Sequence, residues 1–245
     1  MRLNIVTQAA CGLLVLGLNL GDAAAAAPLE PFVARYEVLR DGNSQGEAEM
    51  RLERIDGTRW RYTTEVRGTS GMARLSGFSM REVTELTEID GQLQPQSASA
   101  EGGISLRRRS VRTAFDWAAN EVRWSGDVKD DQTGPAPLSA RTVNPQLLNL
   151  ALAQGVRDGA EAGTTLSFDL VNRGHSDTVD YRVRGQEAVE VPIGARTATA
   201  LHHRRTDKDR EITAWIDPQL PPAPLRVLQR DDGEDSYELR LIEVR

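Results

Sequence analysis

Apolar and polar residues alternate with a period of two along most of this chain, and that alternation limits the fold more than any other feature. In TRWRYTTEVR, Trp60, Tyr62, Thr64 and Val66 fall on one side, and Arg61, Thr63, Glu65 and Arg67 on the other. In GEAEMRLER, Ala48, Met50 and Leu52 oppose Glu47, Glu49, Arg51 and Glu53. Phe32, Ala34, Tyr36 and Val38 repeat the pattern, as do Val179, Tyr181 and Val183, and Tyr237, Leu239 and Leu241. Successive strand side chains point to opposite faces, so these segments read as antiparallel strands with one buried and one wet face. Asp-Gly pairs at Asp41-Gly42, Asp56-Gly57 and Asp90-Gly91 fit tight hairpins between them. About a dozen strands are expected at the roughly ten-residue spacing of all-β proteins, in meander order because sequential strands usually pair.

One segment departs from the pattern. In TVNPQLLNLALAQGVRDGAEAG, Asn144 suits an N-cap and Pro145 the first helical position. Leu147, Leu148, Leu150, Ala151 and Leu152 supply an apolar body, and Gly155 or Gly159 an end. This predicts one main α-helix near 145–157, apolar nearly all round and needing cover on more than one side. The polar stretch 126–140 reads as a long loop, and TSGMARLSG (69–77) fits either a loop or a short helix. One short helix cannot cover the apolar face of a dozen strands, so the sheet must fold into a sandwich or curl. The chain has only twelve aromatic residues (Phe 4, Trp 4, Tyr 4), which leaves few large fillers. The expected fold is mainly β: a large curled antiparallel sheet, half-open β-barrel or barrel-like, with the helix on its concave side and space left over.

The N-terminus points to export. Arg2 precedes an apolar run over 9–20 and a small-residue tract, Ala23 to Ala27. That is the three-part pattern of a secretory signal peptide, and the run is short for a membrane-spanning helix. The expected organisation is a signal peptide over 1–26, cleaved after Ala25 or Ala26, and a single β-rich domain over 27–245 in the periplasm. Cys11 is the only cysteine and lies inside the signal, so the processed chain carries no disulfide and no thiolate chemistry. The formal net charge of −6 argues against general nucleic-acid binding. No later apolar run is long enough for a transmembrane helix.

No catalytic or metal motif emerges. GTSG (68–71) lacks the spacing of a nucleophile elbow. His202 and His203 are adjacent on a predicted strand and point to opposite faces, and His175 sits in a turn. No phosphate-binding glycine loop occurs. The chain therefore reads as non-enzymatic and without a cofactor. Two basic runs, LRRRSVR (106–112) and HHRRTDKDR (202–210), read as charged edge strands or, more sharply, as patches for an anionic ligand. The inward apolar residues Tyr36, Met50, Trp60, Tyr62 and Phe115 are the candidate ligand-binding set, with ordinary core packing as the competing reading.

Several dispersed elements carry a family resemblance. They are Tyr36 with Gly42 and Gly46; Gly91, Leu93 and Pro95; Phe115-Asp116-Trp117; Gln146-Leu147; Gly185, Glu187, Val189, Pro192 and Gly194; Trp215; and Pro224-Leu225-Arg226-Val227. With these the chain resembles the domain of unknown function 3108 family, exported proteins of Gram-negative bacteria. The tail AWIDPQLPPAPLRV is also similar to the Trp-strand, turn and Pro-Leu-Arg strand of periplasmic lipoprotein carriers, whose half-open barrel binds acyl chains or lipoprotein. That likeness implies a related fold, and this chain departs from the group in having one helix instead of several. The expected function is a binding or carrier module for a hydrophobic or amphipathic envelope component, with lipid or lipoprotein as partner. The alternatives are an envelope protein-interaction module working through the 126–140 loop and an outer-membrane barrel. The latter is disfavoured by the scarcity of aromatics for interfacial girdles.

Overall fold

The computed structural model describes residues 28–245. The signal segment, its cleavage site and Cys11 lie outside the described residues. In chain order the elements are β1 (Phe32–Arg40), β2 (Asn43–Asp56), β3 (Arg59–Gly68), α1 (Gly71–Leu75), β4 (Ser79–Ile89), β5 (Gln92–Ile104), β6 (Arg107–Asp116), β7 (Glu121–Gly126) and β8 (Ala136–Pro137). They continue with β9 (Thr142–Val143), α2 (Pro145–Arg157), β10 (Thr165–Asn172), β11 (His175–Val191), β12 (Gly194–Arg205), β13 (Arg210–Ile216), β14 (Arg226–Asp231) and β15 (Glu234–Val244). The fifteen strands exceed the expected dozen partly because β8 and β9 are two-residue pairings with no periodicity to read.

All fifteen strands belong to one sheet. Its order runs from β8 down to β1, then from β15 down to β9. The first and last strands pair directly, Tyr36 opposite Leu241 and Val38 opposite Leu239. The two edges, β8 and β9, are separated in sequence by residues 138–141 alone. The meander has thus curled almost into a ring. Along the seam, Leu138 packs with Phe115, Val122, Trp124 and Val171 in a second, smaller core cluster. Ser139 Oγ donates to Asp169 at 2.5 Å, and Arg141 pairs with the same carboxylate at 3.3 Å. The Ser139 hydroxyl beside Asp169 is the main cause that holds its carboxyl below the usual value.

Local chemistry explains the hairpins. Asp41 and Gly42 have φ of 50° and 74°, and Asp90 and Gly91 of 50° and 75°. Two successive positive φ values are the signature of type I′ turns, whose twist matches the strands they join. On the convex face of β1–β4, charged residues pair across strands: Arg35 with Glu49 at 3.1 Å, Arg61 with Glu85 at 2.8 Å, and Arg81 with Glu65 at 2.5 Å. Each such exposed pair contributes at most about 1 kcal/mol. A charged convex face is the inverse of the apolar outer band of a membrane barrel. Among the described residues no helix is long and apolar enough to cross a membrane.

Helix α2 starts where its sequence signals place it. Asn144 Oδ1 accepts the Leu147 amide at 2.8 Å, and Pro145 follows as the first helical residue. Leu147, Leu150, Leu152 and Ala153 are buried against the concave face, and Gly159 with φ of 90° follows the helix. Gln146 fixes the helix to the sheet. Its Nε2 donates to Tyr62 O at 2.9 Å and Thr64 Oγ1 at 3.1 Å, while its Oε1 accepts from Thr84 Oγ1 at 2.7 Å. At the other end Gln154 Nε2 donates to Gly91 O at 2.9 Å. A 13-residue helix is about 20 Å long, whereas a strand of eleven residues spans roughly 36 Å. The helix therefore fills one part of the trough and leaves the rest to side chains.

Candidate site at the open end of the half-barrel

The part that α2 leaves uncovered lies toward the β1–β2 turn, α1 and the β5–β6 turn. Several concave-face positions there are glycine or alanine, each set against a glycine or a larger partner. Gly46 lies opposite Gly68, and Met80 opposite Gly102. Ala100 lies opposite Val111, and Gly102 opposite Arg109. Gly46 and Gly68 let neighbouring backbone approach closely, since a Cβ at either would meet backbone atoms of Arg67 or Ala73.

Two clefts occupy this space. The first has a volume of about 390 Å³ and an apolar lining that includes Val38, Val66, Phe78 and Tyr237. Helix α1 covers it with Met72 and Ala73. Gly68 permits this cover, because a Cβ at residue 68 would meet the backbone and side chain of Ala73. The second cleft has a volume of about 710 Å³ and is bordered by Arg107, Arg108, Arg109, Lys129 and Arg173. Only Glu101 and Asp127 oppose these five cations. Phe78 lines both clefts. A recess of about 40 Å³ continues past Ala100, Val111 and Arg173 to Glu82 and the start of α2 at Asn144 and Gln146.

The electrostatics of the two clefts differ. Burial pushes the Glu82 carboxyl up, with Arg173 opposing the shift. Tyr237 is pushed up to about 12, first by burial and then by Glu82. Arg108 donates to Ser79 Oγ at 2.9 Å. Arg107, Arg109 and Lys129 have no ion-pair partner among the described residues, although most arginines on the convex face do. Asp127 is engaged by the Ser110 amide at 2.6 Å. Unpaired guanidinium groups beside a cleft suit a carboxylate, sulfate or phosphate, which they can grip through two parallel hydrogen bonds.

The sequence-predicted set divides. Tyr36, Met50, Trp60 and Tyr62 come together in the main core, fully buried, with Tyr62 Oη donating to Met50 Sδ at 3.3 Å. Burial raises the phenols of Tyr36 and Tyr62. Phe115 lies apart, in the seam cluster. None of the five lines the clefts described above. The residues that do include Arg107 and Arg109 of the LRRRSVR run, which the sequence offers as a patch for an anionic ligand, and Phe78, Met80, Ala100 and Gly102, which it does not single out. The signal available was the inward triplet Ala98, Ala100, Gly102, next to the LRRRSVR run.

The remaining candidates have structural roles. His203 stacks on Tyr181 and His202 faces Thr213, so the two imidazoles engage different neighbouring strands. Among the described residues no group of three or more His, Cys, Asp or Glu is placed to hold a metal. The 126–140 stretch carries a short 3₁₀ turn, Asp130–Gln132, packed against Gly174, and Gln132 meets His175 at 2.8 Å. Trp215 lies on β13 with Arg226 over its ring, 4.9 Å from the centroid, and its indole donates to Glu187.

Comparison with known proteins gives structural and family matches. A β-barrel-like protein of domain of unknown function DUF1849 from Brucella abortus is similar over 88% of this chain and 97% of its own, at 9% identity and a TM-score of 0.49. A Bacteroides fragilis protein described as exported and YmcC-like in fold is similar over 89% and 97%, at 11% identity and a TM-score of 0.42. No curated protein matches the chain. The family described as protein of unknown function DUF3108 matches residues 32–240, and the chain belongs to that family.

Proposed function

We propose that this protein is an exported, non-catalytic binding or carrier module for an amphipathic anion, with an acyl chain in the apolar cleft and an anionic headgroup at the basic one. The observation that carries this reading is the junction at Phe78, where clefts of opposite chemistry meet. Both volumes fall in the range of roughly 300–1,000 Å³ usual for small-molecule sites. Each methylene buried contributes about 0.8 kcal/mol, so chain length sets affinity while Arg107, Arg109 and Lys129 set headgroup preference. The packed residues Tyr36, Met50, Trp60, Tyr62 and Phe115 act in this reading as the rigid wall behind the site. The signal-peptide pattern over residues 1–26 supports delivery to the periplasm, where lipids and lipoproteins offer such ligands.

Native mass spectrometry of gently purified protein tests the proposal, with solvent extraction of whatever is bound. The expected result is a ligand-bound population whose extracted mass is an acyl amphiphile carrying negative charge. A uniformly unliganded protein that also fails to bind added dodecyl phosphate defeats it.

A further inference from the structure

Three large apolar side chains stand out on the surface: Met72, Leu75 and Leu106, at 73%, 76% and 97% exposure. The other exposed large apolar residues are far less open. Single exposed apolar residues need no explanation, but clustered ones do. Met72 and Leu75 lie on α1, and Leu106 lies in the turn between β5 and β6. These two segments touch, since the Ser105 amide donates to Ser76 O at 3.0 Å. The partly exposed Ile104 lies beside them. Together they form an apolar rim around the open end of the half-barrel.

Cations flank that rim. Arg74 lies on α1 between Met72 and Leu75, and Arg107 follows Leu106 directly. Arg109 and Lys129 stand on the adjoining cleft wall. Among the described residues none of these four has an ion-pair partner, although the chain as a whole carries a net charge of −6. Local positive charge on an acidic protein selects an anionic partner by complementarity. The apolar tips are convex and sit on separate turns, a shape suited to entering a soft, fluid surface. Apolar residues flanked by Lys and Arg are what an interfacial membrane anchor uses.

We propose that this rim docks the protein on an anionic lipid bilayer, with Met72, Leu75 and Leu106 entering at headgroup depth and Arg74 and Arg107 meeting lipid phosphates. Docking there sets the mouth of both clefts against the membrane. The proposal rests on the rim and holds whether or not the clefts carry a ligand.

Vesicle flotation tests it, using phosphatidylglycerol–phosphatidylethanolamine vesicles against pure phosphatidylcholine. Purified protein should float with the anionic vesicles, and binding should weaken with added salt. Leu75→Ser/Leu106→Ser should lower the partition coefficient at least tenfold, since both apolar tips are lost. Neither residue borders a cleft, so ligand retention should stay unchanged, which separates this proposal from the binding reading. Arg74→Ala should cost about fivefold. Ile55→Ser/Ile89→Ser, at the opposite end of the sheet, should change nothing. Equal flotation with neutral vesicles overturns the proposal. So does absence of flotation, equal loss in the Ile55/Ile89 variant, or dependence on a co-purifying protein instead of lipid.

Discussion

At the end of the trough bounded by the β2–β3 and β4–β5 turns, the concave face carries Trp60, Tyr62, Leu52 and Leu86, and helix α2 closes over it. At the end bounded by α1 and the β5–β6 turn, the same face carries Gly46 on β2, Gly68 on β3, Met80 on β4, and Ala100 and Gly102 on β5, and clefts remain. Between the two ends the β4–β5 ladder shifts register at Glu85/Leu86. Helix α2 covers the first end and not the second, and that cover separates core from cleft. At the filled end Gln146 and the Asn144 side-chain amide, which donates to Thr84 Oγ1 at 2.7 Å, tie the helix to the sheet, while Trp60 Nε1 is buried without a hydrogen-bond partner. At the open end Arg107, Arg109 and Lys129 have no ion-pair partner among the described residues. The partnered amides hold α2 to the sheet at the first end, whereas the second keeps charge available at its border.

Substitutions at the two ends should separate stability from binding. The largest effect is expected at Trp60, which is fully buried at the filled end with Arg54 stacked over its ring at 4.2 Å. Trp60→Ala should destabilise by about 3–5 kcal/mol in chemical denaturation. Gln146→Ala should cost about 2–3 kcal/mol, because Thr84 loses its acceptor and α2 its link to β3. At the open end Val66 is buried at the edge of the main core and borders the apolar cleft, so Val66→Phe should cost only about 1–2 kcal/mol, the cleft taking up part of the ring. A cost there as large as that of Trp60→Ala would erase the distinction between the ends.

The smallest effect concerns pH. Glu82 has a carboxyl raised above its ordinary 4.5, chiefly by burial. Its neutral form is favoured in the folded state, so stability is lost as pH rises from the unfolded value through the raised one. The groups facing it are Arg173, Tyr62 and Tyr237. Glu82→Gln should therefore melt higher than the parent at neutral pH, and the two should converge below about pH 4.5. Thermal melts across that interval check the sign.

Much of this architecture could be read from the sequence because its causes are local. Alternation placed β1, β2 and β3, Asp-Gly pairs placed their turns, and Asn144-Pro145 placed the start of α2. The near-closure of the ring was not legible, because it depends on β1 meeting β15 across almost the whole chain. The two-residue strands β8 and β9 were not legible either. The candidate set and the clefts lie in different parts of the sheet. Tyr36 and Trp60 are inward and large and lie in the packed core, whereas the clefts are bordered by a mixture of large and small residues, from Phe78 and Met80 to Ala100 and Gly102. Phe78 and Met80, which border the clefts, follow a stretch that local signals left undecided between loop and helix. Trp215 and its proline-rich turn hold the far side of the sheet, with Asp217 accepting the Gln219 amide at 2.9 Å after the strand ends.

The most direct test of the account is a competition titration in which dodecyl phosphate and dodecanol displace a fluorescent acyl probe from the parent protein, Val66→Phe and Arg107→Ala/Arg109→Ala. The account predicts that the parent prefers the phosphate to the alcohol. Val66→Phe should lose both ligands, and the double arginine variant should keep the alcohol while losing its preference for the phosphate. Unaltered binding in Val66→Phe, or an undiminished phosphate preference without the two arginines, would contradict it.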